Sequence, residues 1–292
     1  LLALDKLDLV WDDSKALSLS TRDVFAAYRA ALDKGADFKP RFVMEARGDV
    51  RKAAGVDIKA TYSAPFLAHV AMEPINATAR VSDTGVKVWA GTQSPQLAQL
   101  VAARAAGVDA DNVEIVTPWL GGGFGRRADV GFVAKAVEIA KKFKGVAVQT
   151  IWSRAQDMRD DVYRPAAMAD LSATLDANGL PATLVYRIAA PSITDQFVAR
   201  LFPSAIGGLM ADRTALDGAL KSFYGVANAS LEHFSVDTKV PVGFWRSVGF
   251  SLNCFLLESF IDELAFAAKA RPLDYRTRLL AVADGSSASK RA

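Results

Sequence analysis

The spacing of apolar residues changes repeatedly along the chain, and each change predicts a new element. Alternation with a period of two predicts strands at 9–11, 58–62, 78–81, 86–91, 113–117, 146–152, 168–175, 183–189 and 231–236. Recurrence at three and four residues predicts helices at 1–7, 24–32, 95–106, 130–140 and 252–267, with a last short helix from Pro272. Loops are predicted at 33–42 and 153–165, and no element is predicted in 191–228 because the pattern there is irregular. This irregular order, without an internal repeat, predicts an α+β fold with mixed sheets and packed helices.

One segment differs from this pattern, the stretch Gly121-Gly122-Gly123-Phe124-Gly125-Arg126-Arg127, which we call the glycine loop. It joins a predicted strand to a predicted helix. Four glycines in five residues allow positive φ angles and a close approach to a ligand, and the helix that follows offers free N–H groups to an anion. The two arginines add positive charge. The loop therefore predicts contact with a cofactor, and a tight turn without a ligand is the alternative.

Two familiar glycine motifs do not fit the spacing of this loop. A P-loop requires G-x-x-x-x-G-K-[ST], and no Lys-Ser or Lys-Thr pair follows these glycines. A dinucleotide fingerprint requires G-x-G-x-x-G, and Arg126 stands in place of its last glycine. The loop therefore matches neither kind of nucleotide site.

Composition excludes several classes of function. The 292 residues are 51% apolar, which is enough for a packed core, and 35 basic against 32 acidic residues leave a net charge of +3. No long basic run is present, so nucleic acid is not a predicted partner. Neither a signal peptide nor an apolar run long enough to span a membrane is predicted.

Cys254 is the only cysteine, and it lies in the apolar run 250–257. The run predicts that Cys254 is a buried small hydrophobe. A disulfide within the chain is impossible, and an iron–sulfur cluster needs about four thiolates. We therefore expect no iron–sulfur cluster in this chain, and any such cluster would belong to another subunit or to a missing segment.

Four motifs in the same order resemble the molybdenum-cofactor subunit of the xanthine dehydrogenase and aldehyde oxidase family. They are Met72-Glu73-Pro74, the glycine loop, Arg154-x-x-Asp157-Met158 and Gly243-Phe244-Trp245-Arg246-Ser247-Val248-Gly249. The last motif and the helical stretch 258–264 are most similar to the isoquinoline 1-oxidoreductase beta type. The resemblance extends from about residue 1 to residue 280 and implies the molybdenum-cofactor-binding fold of that family.

The resemblance also implies roles for individual residues. Those that would contact the cofactor are Gly122, Gly123, Phe124, Gly125, Arg126, Arg246 and Gly249, and Arg164 would orient the substrate. We therefore expect the glycine loop and residues 244–249 to meet in space. For Arg246 the alternative is an interior structural arginine. One departure is Phe250, because relatives of this type commonly have His at that position.

The family's reaction, as the resemblance implies it, hydroxylates aldehydes or N-heteroaromatic carbons with water as the oxygen source. The cofactor would be molybdenum with molybdopterin, or its cytosine dinucleotide form, and electrons would pass to a 2Fe-2S small subunit. The family's catalytic Glu and further cofactor loops belong to a C-terminal region beyond these residues. We therefore expect a piece of a longer polypeptide that is inactive alone. A non-enzymatic assembly subunit, or an unrelated flavin or nucleotide oxidoreductase, is the alternative.

The same resemblance predicts three parts of the chain. Residues 1–57 would be the remnant of an N-terminal α/β domain with a linker. Residues 58–285 would be the first part of the molybdopterin-binding domain, and 286–292 would be a flexible tail.

Overall fold

The structure is a computed structural model that describes residues 6, 8, 10–14, 16–51, 54–202, 211–220, 222 and 224–289. The helix predicted at 1–7 and residue 9 of the strand predicted at 9–11 lie outside these residues, apart from Lys6. Val10 and Trp11 are described, and they are exposed irregular chain, so the strand predicted there is wrong.

The chain forms seven α-helices and nine strands within the described residues. The helices are α1 Thr21–Lys34, α2 Pro95–Ala106, α3 Gly131–Ala140, α4 Arg154–Arg159, α5 Ile193–Leu201, α6 Phe250–Ala267 and α7 Pro272–Ser289. The strands are β1 Arg41–Arg47, β2 Val56–Ala64, β3 Asn76–Ser82, β4 Gly85–Trp89, β5 Val113–Val116, β6 Ala147–Ile151, β7 Ala167–Leu175, β8 Pro181–Ala190 and β9 Asn228–Ser235. The predicted α+β class with mixed sheets is confirmed.

The larger sheet has five strands in the order β1-β9-β8-β7-β2. Only β8 and β9 run parallel; the other neighbours are antiparallel. Alternate residues of β7 and β8 face α6, where Leu171 and Tyr186 pack with Leu256 and Phe260. This cluster is one of the two main cores.

The smaller sheet has four strands in the order β5-β4-β3-β6 and is covered by α2 and α3. Small residues on the sheet and the helices let the two layers approach closely, among them Ala77, Ala79, Ala98, Ala102 and Ala136. Gly107 ends α2 in the left-handed conformation at φ 78°, as the sequence predicts.

The direction of these four strands brings four loops to one edge of the smaller sheet. Strands β4 and β5 run parallel, so the loops that follow them leave the sheet at the same edge. Strand β3 is antiparallel to β4 and to β6, so β3 begins and β6 ends at that edge too. The loops that meet there are 65–74, 90–94, 117–127 and 152–165.

Three elements were not predicted from the sequence. Strand β1 begins at Arg41, inside the predicted loop 33–42, and it pairs with β9 at the edge of the larger sheet. Helix α4 lies within the predicted loop 153–165, and Ser153 and Gln156 form a capping box at its start. Helix α5 lies in the stretch without a prediction.

The predicted apolar stripe of α6 is wrong at Phe255 and Ala267, and the predicted burial of Cys254 is wrong as well. All three are exposed. The helix is apolar on most of its surface, so composition does not identify its inner face. The residues that face the larger sheet include Leu252, Leu256, Phe260 and Leu264.

The last helix is longer than predicted, since α7 continues to Ser289. Residues 286–289 of the predicted tail therefore belong to this helix, and 290–292 lie outside the described residues. The division at residue 57 stays a prediction about domains; β1, which precedes it, pairs with β9 in the larger sheet. In the described part of the chain no helix is long and apolar enough to cross a membrane.

Two phenylalanines on α6 test its orientation. Phe260→Ala should lower the free energy of unfolding by about 3–5 kcal/mol, because Phe260 is 0% exposed and its removal leaves a cavity. Phe266→Ala is the matched control, and because Phe266 is 86% exposed it should change stability by less than about 0.5 kcal/mol. Urea denaturation measures both, and equal losses would contradict this orientation.

Candidate cofactor-binding site

The glycine loop is held at the edge of the smaller sheet by side chains from two neighbouring loops. The N–H of Gly121 donates to Glu73 Oε2 at 2.6 Å, and the N–H of Glu73 donates back to the carbonyl of Gly121 at 3.2 Å. The N–H of Gly125 donates to Gln93 Oε1 at 3.0 Å. Both ends of the glycine run are therefore fixed by the residues around β3 and β4.

Arg127 lies beneath this loop, and its side chain is fully buried. The guanidinium donates to the carbonyl oxygens of Gly122 at 3.1 Å, Gly91 at 3.0 Å and Glu73 at 3.1 Å. Its Nη2 also lies 3.0 Å from Glu73 Oε2. A buried cation is stable only when it is matched in this way. Arg127 therefore connects three loops and is not available to a ligand.

The carboxylate of Glu73 has three partners. Burial alone raises the pKa of Glu73, but the N–H of Gly121, the amide of Asn76 and the charge of Arg127 outweigh it, and the net pKa is lower than the ordinary value. The motif Met72-Glu73-Pro74 therefore acts as a structural brace for the glycine loop.

The middle of the glycine loop keeps its donors free. Within the described part of the chain, the backbone N–H groups of Gly122, Gly123 and Phe124 have no protein partner. The φ angles of Gly122, Phe124 and Gly125 are 108°, 54° and 97°. Successive N–H groups in left-handed turns form a concave site for an electronegative group. This cradle fits a cofactor that offers oxygen acceptors.

The segment Pro241–Gly249, which we call the Phe244 loop, lies against the glycine loop. A methyl group added at Gly125 would collide with the carbonyl oxygen of Phe244 and approach Trp245 N to 3.2 Å. The predicted meeting of the two segments is therefore confirmed. The side chain of Phe244 packs edge-on against Phe197 of α5 at 5.0 Å.

Backbone strain is concentrated around this contact. Four residues other than glycine have positive φ there, namely Val70, Phe124, Ser247 and Val248. Each such residue costs on the order of 1–3 kcal/mol, and Val is unfavourable because it is β-branched. Strain of this kind persists where the surrounding structure imposes it, and it occurs frequently at binding sites.

Arg126 turns away from the cradle toward two carboxylates. Its Nε lies 2.8 Å from Asp161 Oδ1, although the N–H is not aligned on that oxygen, so the contact is an ion pair. Its Nη2 lies 3.9 Å from Asp157 Oδ1. Burial and the negative charge of Asp161 raise the pKa of Asp157. Their effect is larger than that of the positive charges of Arg126 and Arg154, which lower it. The side chain of Arg126 is therefore engaged by the protein.

His69 and Asp161 are partners that the sequence motifs did not predict. The two Asp161 oxygens lie 3.0 and 3.1 Å from His69 Nδ1, and His69 Nε2 lies 2.9 Å from the carbonyl oxygen of Phe244. Both side chains are buried. His69 lies between Pro65 and Pro74, a segment that the motifs did single out, but no local signal relates it to Asp161.

The other predicted site residues lie in different surroundings. Arg246 is exposed, and no protein group within the described residues binds its side chain, so it is not an interior structural arginine. Gly249 is buried, and a methyl group there would lie 2.5 Å from Thr214 O and 2.7 Å from Asp217 N. This close packing explains why position 249 is a glycine. Arg164 donates to the carbonyl of Pro65 at 2.9 Å, and burial lowers its pKa.

A family model for the molybdopterin cofactor-binding domain matches residues 36–280 of this sequence. The chain therefore belongs to the molybdopterin cofactor-binding domain family. The match covers both sheets, the glycine loop and the Phe244 loop.

Curated relatives include subunits of oxidoreductases and dehydrogenases. The beta subunit of isoquinoline 1-oxidoreductase from Brevundimonas diminuta is 30% identical over 235 residues, 79% of this chain and 29% of that protein. A nicotinate dehydrogenase subunit from Pseudomonas putida is 26% identical over 274 residues, 92% of this chain and 22% of that protein. The aldehyde oxidoreductase molybdenum-binding subunit of Escherichia coli is 27% identical over 229 residues, 77% and 29% respectively. The chain spans less than a third of each relative.

Two solved structures share the fold. Quinoline 2-oxidoreductase from Pseudomonas putida 86 has a TM-score of 0.68 at 21% identity, over 86% of this chain and 33% of that one. The aldehyde oxidoreductase from Desulfovibrio desulfuricans also has a TM-score of 0.68, at 18% identity, over 85% of this chain and 28% of that one.

The residues present fit a molybdopterin cofactor. With respect to the described residues, the cradle offers three free N–H donors, and Arg246 offers a cation without a protein partner. The described part of the chain contains no group of three His, Cys, Asp or Glu side chains that could hold a metal ion. A metal carried by an organic cofactor does not require such a group.

Two glycines in the left-handed region test the contact between the loops. Gly125→Ala should destabilise the protein more than Gly107→Ala, because a methyl at Gly125 meets the Phe244 carbonyl whereas nothing lies within 4 Å of one at Gly107. Gly107→Ala, the control, should lower the free energy of unfolding by about 1–2 kcal/mol because of its positive φ alone. The clash at Gly125 should lower it by roughly 1–3 kcal/mol more. Thermal and urea unfolding measure both, and equal losses would contradict the contact.

The pH dependence of stability tests the role of Glu73. Its pKa is lowered in the folded state, so its carboxylate stabilises the fold above about pH 4.3, and this stabilisation is lost as the pH falls through the lowered value. The unfolding free energy of Glu73→Gln should therefore fall less steeply toward acid pH than that of the wild type.

Glu138→Gln is the control for this experiment, because Glu138 is exposed on α3. Urea denaturation over a series of pH values should give wild-type behaviour for this variant. A Glu73→Gln curve parallel to the wild type would show that the carboxylate is not braced as described.

Proposed function

We propose that this chain forms part of the cofactor-binding wall of a molybdenum hydroxylase subunit. The proposed enzyme oxidises aldehydes or N-heteroaromatic carbons with water as the oxygen source and passes electrons to a 2Fe-2S subunit. The observation that carries the proposal is the cradle of three free N–H groups at Gly122, Gly123 and Phe124, braced by buried Arg127. The names of the relatives, an isoquinoline oxidoreductase and an aldehyde oxidoreductase among them, support the substrate classes.

Each residue of the site has a proposed task. The N–H groups of the cradle bind oxygen acceptors of the cofactor, and Gly125 keeps the glycine loop close to the Phe244 loop. The exposed ring of Phe124 shields the bound group from water on one side. Arg246 offers a planar fork of donors to a pterin or phosphate oxygen. Arg164, in the segment after α4, orients the substrate.

The bound cofactor would supply the redox chemistry, and the protein would supply orientation and electrostatics. For Arg126 and Gly249 the proposed contribution is indirect. Arg126 pairs with Asp161, and Gly249 lets the Phe244 loop enter α6 beside Thr214. Both therefore position backbone that faces the cofactor. The general base of the reaction is expected in the part of the relatives that this chain does not span.

The test uses the complete enzyme and Arg246. Arg246→Lys keeps the charge but loses the fork, so it should weaken cofactor retention by roughly ten- to a hundredfold. Molybdenum and pterin per folded subunit, measured after dialysis, give the result. Arg80→Lys is the matched control, because Arg80 is an exposed arginine on β3.

Two outcomes would contradict the proposal. Wild-type molybdenum content in Arg246→Lys would remove the role of Arg246. Absence of molybdenum and pterin from the complete wild-type protein would favour a non-enzymatic assembly subunit or a different cofactor.

A further inference from the structure

We propose that His69 is held as a doubly protonated imidazolium that joins the Asp161 carboxylate to the Phe244 carbonyl and so positions the Phe244 loop against Gly125. The charge state follows from the contacts of this chain alone. Any effect of this loop position on a bound cofactor rests on the proposed function.

The hydrogen-bond partners of the His69 ring are both acceptors. Nε2 lies 2.9 Å from the carbonyl oxygen of Phe244, which has no proton to give. Nδ1 lies 3.0 and 3.1 Å from the oxygens of Asp161. A neutral imidazole has one N–H and one lone pair, so either neutral form would set a lone pair against an oxygen lone pair. Two donors are needed, and only the imidazolium has two.

A protonated Asp161 would relieve one of these clashes, but the surroundings of Asp161 favour the carboxylate. Its oxygens also accept from the N–H of His69 at 2.6 Å and the N–H of Val162 at 2.8 Å, and they lie 2.8 Å from Arg126 Nε. Burial alone raises the pKa of Asp161, whereas the hydrogen bond from the backbone N–H of His69 and the charge of Arg126 lower it whichever form the imidazole takes. The proton therefore belongs on the imidazole.

Trp245 adds a third contact with the ring. The centroids of the His69 and Trp245 rings lie 4.7 Å apart at an interplanar angle of 35°. A cation within about 6 Å of an indole face is attracted by the ring quadrupole. His69 thus contacts two successive residues of the Phe244 loop, one through its carbonyl and one through its ring.

The carbonyl that His69 binds is also the atom that Gly125 packs against. The Phe244 loop is also tied at Val242, which pairs with Tyr163, and the segment of Tyr163 is held in turn by the pairing of Arg164 with Leu67. These bridges fix the strand-like part of the loop, which ends at Val242. His69 fixes the part beyond it, where the chain turns toward Arg246.

The second histidine of the chain is an internal control. His233 is fully buried, and its Nε2 lies 3.1 Å from the carbonyl of Ala190. Its Nδ1 has no hydrogen-bond partner among the residues that the structure describes, and burial lowers the pKa of the ring. One N–H is sufficient here, so His233 should be neutral with its proton on Nε2.

Nuclear magnetic resonance of the full chain with ¹⁵N-labelled histidine tests the charge state at neutral pH. His69 should show a directly bonded proton on both ring nitrogens, and His233 on Nε2 alone. The spectrum of a His69→Gln variant assigns the signals. A His69 ring with a single N–H would overturn the proposal. The spectrum of His233→Gln provides the same assignment if His69→Gln fails to fold, and the result does not depend on any bound cofactor.

Hydrogen exchange tests the positioning role. His69→Gln carries no charge and has its two N–H donors on a single nitrogen, so it cannot bridge Asp161 and the Phe244 carbonyl. The hydrogen-bonded amides of Gly243 and Val248 should therefore exchange roughly ten- to a hundredfold faster than in the wild type. His233→Gln keeps a donor for the Ala190 carbonyl and should leave these amides unchanged. Unchanged exchange in folded His69→Gln would overturn the positioning role.

The outcomes are separable from those of the Arg246 experiment. If His69 is doubly protonated and Arg246→Lys keeps its molybdenum, the proposal for His69 is supported and the proposed role of Arg246 is contradicted. If the His69 ring has only one N–H, the proposal for His69 is contradicted whatever the molybdenum content.

Discussion

The candidate site depends on the burial of one cation. The guanidinium of Arg127 is enclosed beneath the glycine loop, and its donors bind carbonyls of Gly91, Gly122 and Glu73. A buried charge must be matched, and loss of a partner costs about 3–5 kcal/mol because the remaining charge has no counterpart. The loops after β4 and β5 and the loop before β3 therefore cannot separate unless the Arg127 guanidinium becomes exposed or loses its hydrogen-bond partners. Gly122, the first residue of the cradle, is held in place because its carbonyl is one of those that Arg127 binds.

Strand direction in the smaller sheet explains why these loops meet at all. Parallel pairing of β4 with β5 and antiparallel pairing of β3 with its neighbours direct four connections to one edge. The Phe244 loop arrives from the other sheet, between β9 and α6. The pairing of Tyr163 with Val242 attaches it to the segment after α4. The site therefore lies where connections from both sheets meet, and this is also where strained residues such as Val248 are found.

The positive charges of the site divide into two groups with different uses. Arg126 and Arg127 are buried and paired, while Arg154 donates to the carbonyls of Ala71 and Met72 and to Asp157. Their charges are used to hold loops together. Arg246 is exposed and has no protein partner within the described residues, so its donors remain for a ligand. The motif resemblance treated Arg126 and Arg246 alike, and their surroundings distinguish them.

The sequence by itself determined the α+β class, most of the periodic elements, the glycine loop and the family. Those features depend on neighbours a few residues apart, whose spacing is visible along the chain. Strand β1, the inner face of α6 and the exposure of Cys254 were decided by packing against distant strands. The pairing of His69 with Asp161 spans 92 residues, and the contact of Gly125 with Phe244 spans more. Only the tertiary structure decided these contacts, because hydrogen bonding and steric fit act between atoms that the fold brings together.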